Sequence, residues 1–278
     1  MTGTDRNIVI HLGFPKTGTT TIQSLLDANT ARLEPELTIA AKGDLTLQLR
    51  KVAMRAMHVP MARAFWMWRF HRGLKQLRRD VDAMTFKTLI ISDETLFGLN
   101  PARLSDISTA GTYEDMLRAL DAALDGYAPR YIVYLRDPES WKTSFYNQNF
   151  KRRRTTQSFA DWLKEHDFET GPLRVIERMR VVLGDRLAVR QMEDDRAEGR
   201  FLGQALLEYA GLPPERFADL EMPPRQNESM APAAIELLRM IHENPAFRGK
   251  RYRFLVRLFA RHPELFAELP KPGNKDDD

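Results

Sequence analysis

The segment IVIHLGFPKTGTT, residues 8–20, decides the fold that we expect for this chain. It begins with an apolar, β-branched run that ends at Gly13, a pattern that is typical of a buried strand. From Thr19 to Asn29 the apolar residues recur at helical spacing, which predicts a helix directly after the loop. A loop between a strand and a helix directs backbone N–H groups and the positive end of the helix at one point. The segment therefore predicts an anion-binding loop.

Three further apolar runs predict buried strands, at residues 88–92, 131–135 and 187–191. The segments between these strands have helical periodicity. Strands that alternate with helices form a mostly parallel sheet, with the ligand at the carboxyl ends of the strands. We therefore predict an α/β, P-loop-containing three-layer fold, with a central sheet of about four to five strands flanked by helices.

Helical segments account for most of the remaining chain. Residues 46–83 are helical in composition, with interruptions expected at Pro60 and Gly73. From Phe201 onwards the pattern predicts helices only, apart from a proline-rich loop at 212–227.

We expect one domain over residues 1–270, because no composition shift marks a second domain. The segments at about 46–83 and 230–269 are predicted to be helical additions to it. The polar tail, residues 271–278, is of low complexity and is predicted to be disordered.

The composition restricts the classes of function. The chain has 278 residues, of which 43% are hydrophobic and 29% charged, as in ordinary globular proteins. Its net charge of +4 favours anionic ligands but is too small for a dedicated nucleic-acid binder. The absence of cysteine excludes disulfides, thiolate metal sites and cysteine nucleophiles. Since no membrane-spanning run and no signal-peptide pattern is present, we expect a cytoplasmic protein.

The predicted loop departs from the nucleotide triphosphatase P-loop in one respect. Gly13 and Gly18 have the P-loop spacing, but Thr19 stands where the lysine is expected, and Lys16 precedes the second glycine. A triphosphatase needs its lysine at the β- and γ-phosphates and a hydroxyl on Mg²⁺. The rearranged loop therefore favours a different phosphate-containing group. The alternative is a glycine-rich turn with a solvated lysine.

The segment PKTGTT, residues 15–20, resembles the 5′-phosphosulfate loop of bacterial sulfotransferases that use 3′-phosphoadenosine-5′-phosphosulfate (PAPS). This resemblance implies that PAPS is the co-substrate and that no metal is required. It implies that Lys16 contacts the oxygen that bridges phosphate and sulfate. The resemblance also places Pro15 in the cofactor site. It implies that backbone and hydroxyl donors of the following residues hold the 5′-phosphate: Thr17, Gly18, Thr19 and Thr20.

A second motif, Arg136-Asp137-Pro138 followed by Ser144 and Tyr146, resembles the 3′-phosphate site of the same family. The resemblance implies that Arg136 and Ser144 bind the 3′-phosphate. A guanidinium fork and a hydroxyl together suit a phosphate monoester. Taken alone, Arg-Asp-Pro is a common turn at the end of a strand.

The resemblance extends over about residues 1–230. Residues 187–193 and the helix predicted after Phe201 are similar to the family's fourth strand and the helix that follows it. The segment RQNES, residues 225–229, resembles a loop that closes over the cofactor in bacterial members, which implies that Arg225 contacts PAPS.

The general base is predicted among three residues. In the family the base is a histidine or a glutamate near the sulfate. We choose Glu94, because it follows a strand that should open onto the same cleft as Lys16. Asp93 is an alternative base, or a residue that orients Lys16 or the substrate. His11 is the other alternative, although its position within the first strand favours a buried structural role.

Two other functions compete with sulfuryl transfer. The run LIISDE, residues 89–94, resembles the strand ending in Asp-Glu that holds Mg²⁺ in P-loop proteins, which would indicate a small-molecule kinase. The basic stretches Lys151–Arg154 and Arg248–Arg261 would fit a non-enzymatic binding module, although charge runs are usually solvated faces.

The acceptor is predicted from one stretch, Ala64–Arg72, which mixes aromatic and basic residues. Such a mixture suits sugar rings or an anionic glycan. It also suits a membrane surface that carries a glycolipid, which would place the protein at the inner face of the membrane. We therefore expect a hydroxyl of a carbohydrate or glycolipid as acceptor. At helical spacing, however, such aromatics are more often core residues.

Overall fold

The computed structural model of the protein describes residues 6–40, 43, 45–98, 110–152, 157–197, 199–223, 232–242, 244–247 and 249–266. The tail at 271–278 lies outside the described residues. The chain divides into two compact units, one within Met1–Lys142 and Leu163–Gln226 and the other within Thr143–Trp162 and Asn227–Asp278.

The first unit contains a five-stranded sheet, and every neighbouring pair of strands is parallel. The strands have the order β2-β3-β1-β4-β5. Their bounds are β1 (Asn7–Gly13), β2 (Leu37–Ala40), β3 (Thr88–Ser92), β4 (Arg130–Leu135) and β5 (Leu187–Gln191). The predicted α/β fold is confirmed, and β2 is a strand that we did not predict individually.

Helices connect the strands and form most of the rest of the described chain. They are α1 (Thr19–Ala28), α2 (Thr30–Leu33), α3 (Leu47–His58), α4 (Arg63–Ala83), α5 (Ala110–Ala123), α6 (Pro138–Lys151), α7 (Phe159–Leu163), α8 (Thr170–Leu183), α9 (Gln204–Ala210), α10 (Pro232–His242) and α11 (Lys250–Arg261). Short 3₁₀ turns lie at Pro60–Ala62, Gly184–Arg186, Asp194–Arg196, Pro214–Asp219, Pro245–Phe247 and Pro263–Phe266. None of the described helices is both long and apolar enough to cross a membrane.

Helices cover both faces of the sheet. On one face, Val9, Ile90 and Ile132 pack in one cluster with buried leucines of α1 and α9. Neighbouring strand residues point to the opposite face, where the Tyr131 hydroxyl donates a hydrogen bond to Asp121 of α5 at 3.0 Å. Because both faces are buried, the strands are nearly continuous apolar runs, and this pattern made them recognisable in the sequence.

Gly73 does not interrupt its helix, so this prediction was wrong. Helix α4 continues from Arg63 to Ala83. A Cβ built on Gly73 would lie 3.0 Å from Leu49 Cδ1 of α3. The glycine therefore allows α3 to pack closely on α4, and this packing outweighs the cost of about 1 kcal/mol for glycine within a helix.

The register of the strands aligns three loop-bearing ends. His11 of β1 pairs with Ser92 of β3, and Gly13 pairs with Tyr134 of β4. The carboxyl ends of β1, β3 and β4 therefore lie side by side. The predicted site residues follow these ends in the chain, so the fold places the three loops at one edge of the sheet.

The second unit has an aromatic core of its own. The ring of Tyr146 lies near those of Phe150, Phe159 and Trp162, with centroid distances of 6.0, 5.0 and 5.4 Å. Helices α10 and α11 pack on each other in this unit.

Candidate active site

The loop between β1 and α1 has an unusual backbone conformation. Lys16 has a φ of 72° and Gly18 a φ of 84°. A positive φ is uncommon for a residue other than glycine and costs on the order of 1 kcal/mol, and such strain concentrates at functional sites. Gly18 is required for a second reason, because a Cβ built there would lie 2.7 Å from Leu202 Cδ2 and 2.9 Å from Met192 Sδ. Buried packing thus fixes the loop.

Helix α1 begins at this loop without a side-chain cap. Gly18 is its N-cap residue, and no side chain of the described residues bonds to the cap. The N–H groups of the first turn carry partial positive charge and need acceptors. The start of α1, with Thr19 buried and Thr20 exposed, is therefore suited to an anion.

The Thr17 hydroxyl is used within the loop itself. It is buried and donates a hydrogen bond to the Phe14 carbonyl oxygen at 2.8 Å. This bond closes the turn. A contribution of Thr17 to ligand binding would therefore come from its backbone.

Residues near the start of α6 hold the loop by its carbonyl groups. Arg136 Nη1 donates to the Lys16 carbonyl oxygen at 3.1 Å, and Trp141 Nε1 donates to the Pro15 carbonyl oxygen at 2.8 Å. Arg136 Nε also donates to Ser140 Oγ at 3.0 Å. The structure thus brings the two sequence motifs into direct contact, although Lys16 and Arg136 are 120 residues apart.

The surroundings of Arg136 favour an anionic ligand. Burial and the nearby cation of Arg196 lower the pKa of Arg136 from its ordinary value, whereas Glu193 and Asp137 act in the opposite direction. An arginine guanidinium stays protonated in proteins under physiological conditions. An anion beside it would offset the cost of burying the guanidinium and its repulsion by Arg196.

Glu94 lies against the first residue of the loop. A Cβ built on Gly13 would come within 2.8 Å of Glu94 Cβ, so glycine is needed for this approach. Gln23 of α1 donates a hydrogen bond from Nε2 to Glu94 Oε2 at 2.7 Å. The Glu94 side chain is half-buried and therefore within reach of solvent. A carboxylate held at the edge of the loop is well placed to accept a proton.

A small pocket begins at Glu94. Gly13, Phe97, Gly98 and Tyr113 line it together with Glu94. The other residues that line it are Leu12, Phe14 and Leu96.

Asp93 is buried and fully engaged by donors from the protein. It accepts hydrogen bonds from Thr46 Oγ1 at 2.6 Å and from Thr95 Oγ1 and Thr95 N at 3.1 Å. Arg50 Nη1 forms an ion pair with it at 3.3 Å. These contacts attach the start of α3 to the end of β3.

His11 lies entirely within the sheet. Its Nδ1 is 2.9 Å from Ser92 Oγ, and its Nε2 has no hydrogen-bond partner among the described residues. Burial lowers the pKa of His11 to about 4, which makes the ring neutral at pH 7. This position is that of the structural histidine considered above.

The remaining predicted contacts lie elsewhere. Ser144 is buried in the part of α6 that belongs to the second unit. Its approach to the 3′-phosphate remains a prediction. Arg225 lies outside the described residues.

Sequence reasoning missed three residues that shape the site: Gln23, Trp141 and Arg196. Gln23 lies one helical turn after Thr19, so its position could have been inferred from the predicted start of α1. The motif Arg-Asp-Pro likewise begins the helix that carries Trp141. We find no sequence pattern that points to Arg196.

Comparison with known proteins found similarity only at the level of structure. No protein-family model matches the sequence, and no curated protein sequence matches it. Two solved structures are similar to this chain. A sulfotransferase from Alicyclobacillus acidocaldarius is 15% identical with a TM-score of 0.47, and the match covers 91% of this chain and 96% of that one. The sulfotransferase domain from the curacin biosynthetic pathway is 13% identical with a TM-score of 0.44, and the match covers 95% of this chain and 99% of that one.

Proposed function

We propose that the protein transfers a sulfuryl group from PAPS to a hydroxyl of an acceptor. One observation carries the proposal: Arg136 donates a hydrogen bond to the Lys16 carbonyl oxygen. A loop suited to a phosphosulfate and an arginine suited to a second phosphate are therefore adjacent. A nucleotide with phosphate groups at both its 3′ and 5′ positions would need this combination.

The residues present fit the donor. The uncapped start of α1, with Thr19 and Thr20, would hold the 5′-phosphate. Arg136 would bind the 3′-phosphate, and we assign Ser144 as a second donor to the same group. Lys16 would lie at the bridging oxygen, and we retain Arg225, outside the described residues, as a contact to the nucleotide.

In the proposed reaction the acceptor oxygen attacks sulfur. The bond from sulfur to the bridging oxygen breaks as the new S–O bond forms, and adenosine 3′,5′-bisphosphate leaves. Lys16 stabilises the negative charge that develops on the bridging oxygen. The rest of the catalysis is positioning of the two reactants.

We assign Glu94 as the general base that takes the proton of the acceptor hydroxyl. Its carboxylate is half-buried, lies beside Gly13 and is oriented by Gln23. The two alternatives have less support. Asp93 accepts hydrogen bonds from three protein residues, and His11 is enclosed by the sheet.

We propose a hydroxyl of a carbohydrate or glycolipid as the acceptor. The aromatic side chains of α4 support this class. Phe65 and Trp68 are about half exposed, at 50% and 52%, whereas Phe70 is buried. The stretch thus combines one core residue with two exposed aromatics, and an exposed aromatic face next to cations suits a sugar ring or a lipid headgroup.

The kinase alternative has less support than sulfuryl transfer. It depended on the pair Asp93-Glu94 after β3 as ligands for Mg²⁺. Asp93 is instead paired with Arg50 and two threonines, so it is occupied by a competing cation. The binding-module alternative depended on charge alone, and it gives no role to the contact between Lys16 and Arg136.

A transfer assay tests the proposed function. The protein is incubated with ³⁵S-labelled PAPS and, separately, with γ-³²P-labelled ATP and Mg²⁺, each with lipid and carbohydrate extracts as acceptors. We expect a ³⁵S-labelled product that also forms in EDTA, and none with Lys16→Ala. Transfer of ³²P, or a ³⁵S product that Lys16→Ala forms equally well, would overturn the proposal.

A further inference from the structure

The helices α3 and α4 form a hairpin whose charge is entirely of one sign over most of its length. From Leu45 to Arg79 the sequence contains nine lysine and arginine residues and no aspartate or glutamate. Six of these cations are exposed: Lys51, Arg55, Arg69, Arg72, Lys75 and Arg79. A surface of this kind attracts a dense array of negative charge.

The tip of the hairpin is apolar and exposed. Around the turn between the two helices, Val59 is 41% and Met61 103% exposed, and Phe65 and Trp68 follow on the first turns of α4 at 50% and 52%. Four exposed apolar side chains over ten residues exceed the scattered single residues that are normal on a surface, and such patches indicate interaction sites.

The exposed aromatics lie on the side of α4 that faces away from the core. Phe70, Leu74, Leu77 and Val81 form the buried face of the helix. At 100° per residue, Phe65, Trp68 and Arg72 lie on the opposite face, and two further exposed cations, Lys75 and Arg79, follow on it. Burial within this protein therefore does not explain these aromatic residues.

Arginine side chains lie beside two tryptophan rings in the first turns of α4. The guanidinium of Arg55 lies 4.7 Å from the centre of the Trp66 ring, and that of Arg72 lies 5.2 Å from the centre of the Trp68 ring. A tryptophan with an arginine beside it combines an apolar body with a positive group. This combination is preferred where hydrocarbon meets charged headgroups.

We propose that the α3–α4 hairpin docks the protein on an anionic lipid bilayer. Met61, Phe65 and Trp68 enter the interface between headgroups and acyl chains, and the exposed lysines and arginines contact the lipid phosphates. An anionic bilayer accounts both for the apolar tip and for the absence of acidic residues between Leu45 and Arg79. A second copy of the chain is a poor occupant, because a twofold contact would place the cations of one hairpin against those of the other.

The docking would present a lipid-borne acceptor to the candidate active site. A Cβ built on Gly98 would lie 2.7 Å from Met54 Cγ of α3, and His58 Nε2 lies 3.3 Å from the Gly98 carbonyl oxygen. Gly98 also lines the pocket that begins at Glu94. The last turns of α3 thus border this pocket. This role rests on the proposed function, whereas the docking itself does not.

The test is co-sedimentation of the full chain, without nucleotide, with vesicles of phosphatidylcholine alone or with added phosphatidylglycerol. We expect at least ~10-fold stronger binding to the anionic vesicles, and weaker binding as salt rises from about 0.1 to 0.5 M. The double variant Phe65→Ser/Trp68→Ser should lose at least ~10-fold in binding to anionic vesicles. The control Leu173→Ser/Val181→Ser changes side chains of α8 that are 51% and 73% exposed, and should bind like the wild type.

A second readout makes the result independent of sedimentation. Trp141 and Trp162 are buried, so quenching of fluorescence by brominated lipids reports on Trp66 and Trp68. We expect quenching in the wild type that Trp68→Phe strongly reduces. Equal vesicle binding by the wild type and the double variant would overturn the proposal. So would no binding to anionic vesicles, binding only to a soluble acidic polysaccharide, or a dimer that the double variant abolishes. Because no nucleotide is present, this outcome is separate from that of the transfer assay.

Discussion

The loop after β1 and the α3–α4 hairpin both adjoin the pocket at Glu94, but they differ in how the protein holds them. Buried side chains and carbonyl-directed hydrogen bonds from Arg136 and Trp141 fix the loop. The tip of the hairpin exposes Phe65 and Trp68 to solvent. We infer that the loop is built for one defined anion and the hairpin for a broad surface. Predictions about the two regions should therefore differ in size and kind.

The largest effect is expected at the carboxylate between the two regions. Glu94→Gln removes the proposed base and should lower turnover by about 10²–10⁴-fold. The affinity for adenosine 3′,5′-bisphosphate should stay nearly unchanged, because other residues bind the nucleotide. Single-turnover assays and calorimetry measure the two quantities. Gln23→Ala removes the donor to Glu94 and should have a smaller effect of the same kind.

One result would move the assignment to another residue. If Glu94→Gln is fully active while Asp93→Asn or His11→Ala is inactive, Glu94 is not the base.

Lys16 should come next in the size of its effect. Lys16→Ala removes the cation at the bridging oxygen and should lower turnover by at least ~10²-fold, the loss expected for one transition-state donor. Lys87→Ala is the matched control, because Lys87 is exposed and precedes β3 at the opposite end of the strand. Turnover near that of the wild type in Lys16→Ala would contradict the role of the loop.

The rigidity of the loop can be tested without substrate. Gly18 and Gly126 both have a positive φ, at 84° and 91°, but nothing lies within 4 Å of a Cβ built on Gly126. Gly18→Ala should lower the free energy of unfolding by about 2–4 kcal/mol, and Gly126→Ala by about 1 kcal/mol. Urea unfolding measures both. Equal losses of stability in the two variants would mean that the side chains of Leu202 and Met192 move aside at little cost. The loop would then not be held by packing.

The smallest effects are expected on stability, when a tryptophan of each region is replaced by phenylalanine. Trp141→Phe deletes the donor to the Pro15 carbonyl oxygen and should cost about 1–2 kcal/mol of stability. Trp68→Phe, at a half-exposed position, should change stability by less than about 0.5 kcal/mol. The same urea titrations apply. A larger loss for Trp68→Phe would show that the tip is part of the folded core.

Much of the fold could be predicted because the central strands are buried on both faces. Continuous apolar runs marked β1, β3 and β4, and turn residues bounded them. Strand β2 has only four residues, which is too short to stand out from its surroundings. The expected break at Gly73 was wrong because the side chain that requires glycine, Leu49, lies on a different helix.

The candidate site could be predicted only in part. The motifs predict which residues bind anions, and the parallel pairing of β1 with β3 agrees with the position of Glu94 beside Gly13. The bond from Arg136 to the Lys16 carbonyl oxygen joins residues distant in the chain, and no local pattern contains it. The exposure of Phe65 and Trp68, with Phe70 buried, likewise depends on how α4 packs.

The most direct test of the central claim is the affinity for two nucleotides that differ only in the 3′-phosphate. Isothermal titration calorimetry should show adenosine 3′,5′-bisphosphate binding at least ~10-fold more tightly than adenosine 5′-monophosphate, since each charged hydrogen bond contributes roughly 1.5–3 kcal/mol. Arg136→Ala should remove most of that preference, whereas Arg178→Ala, at an exposed ion pair with Glu114, should retain it. Equal affinity for the two nucleotides, or tighter binding of Mg·ATP, would contradict the account.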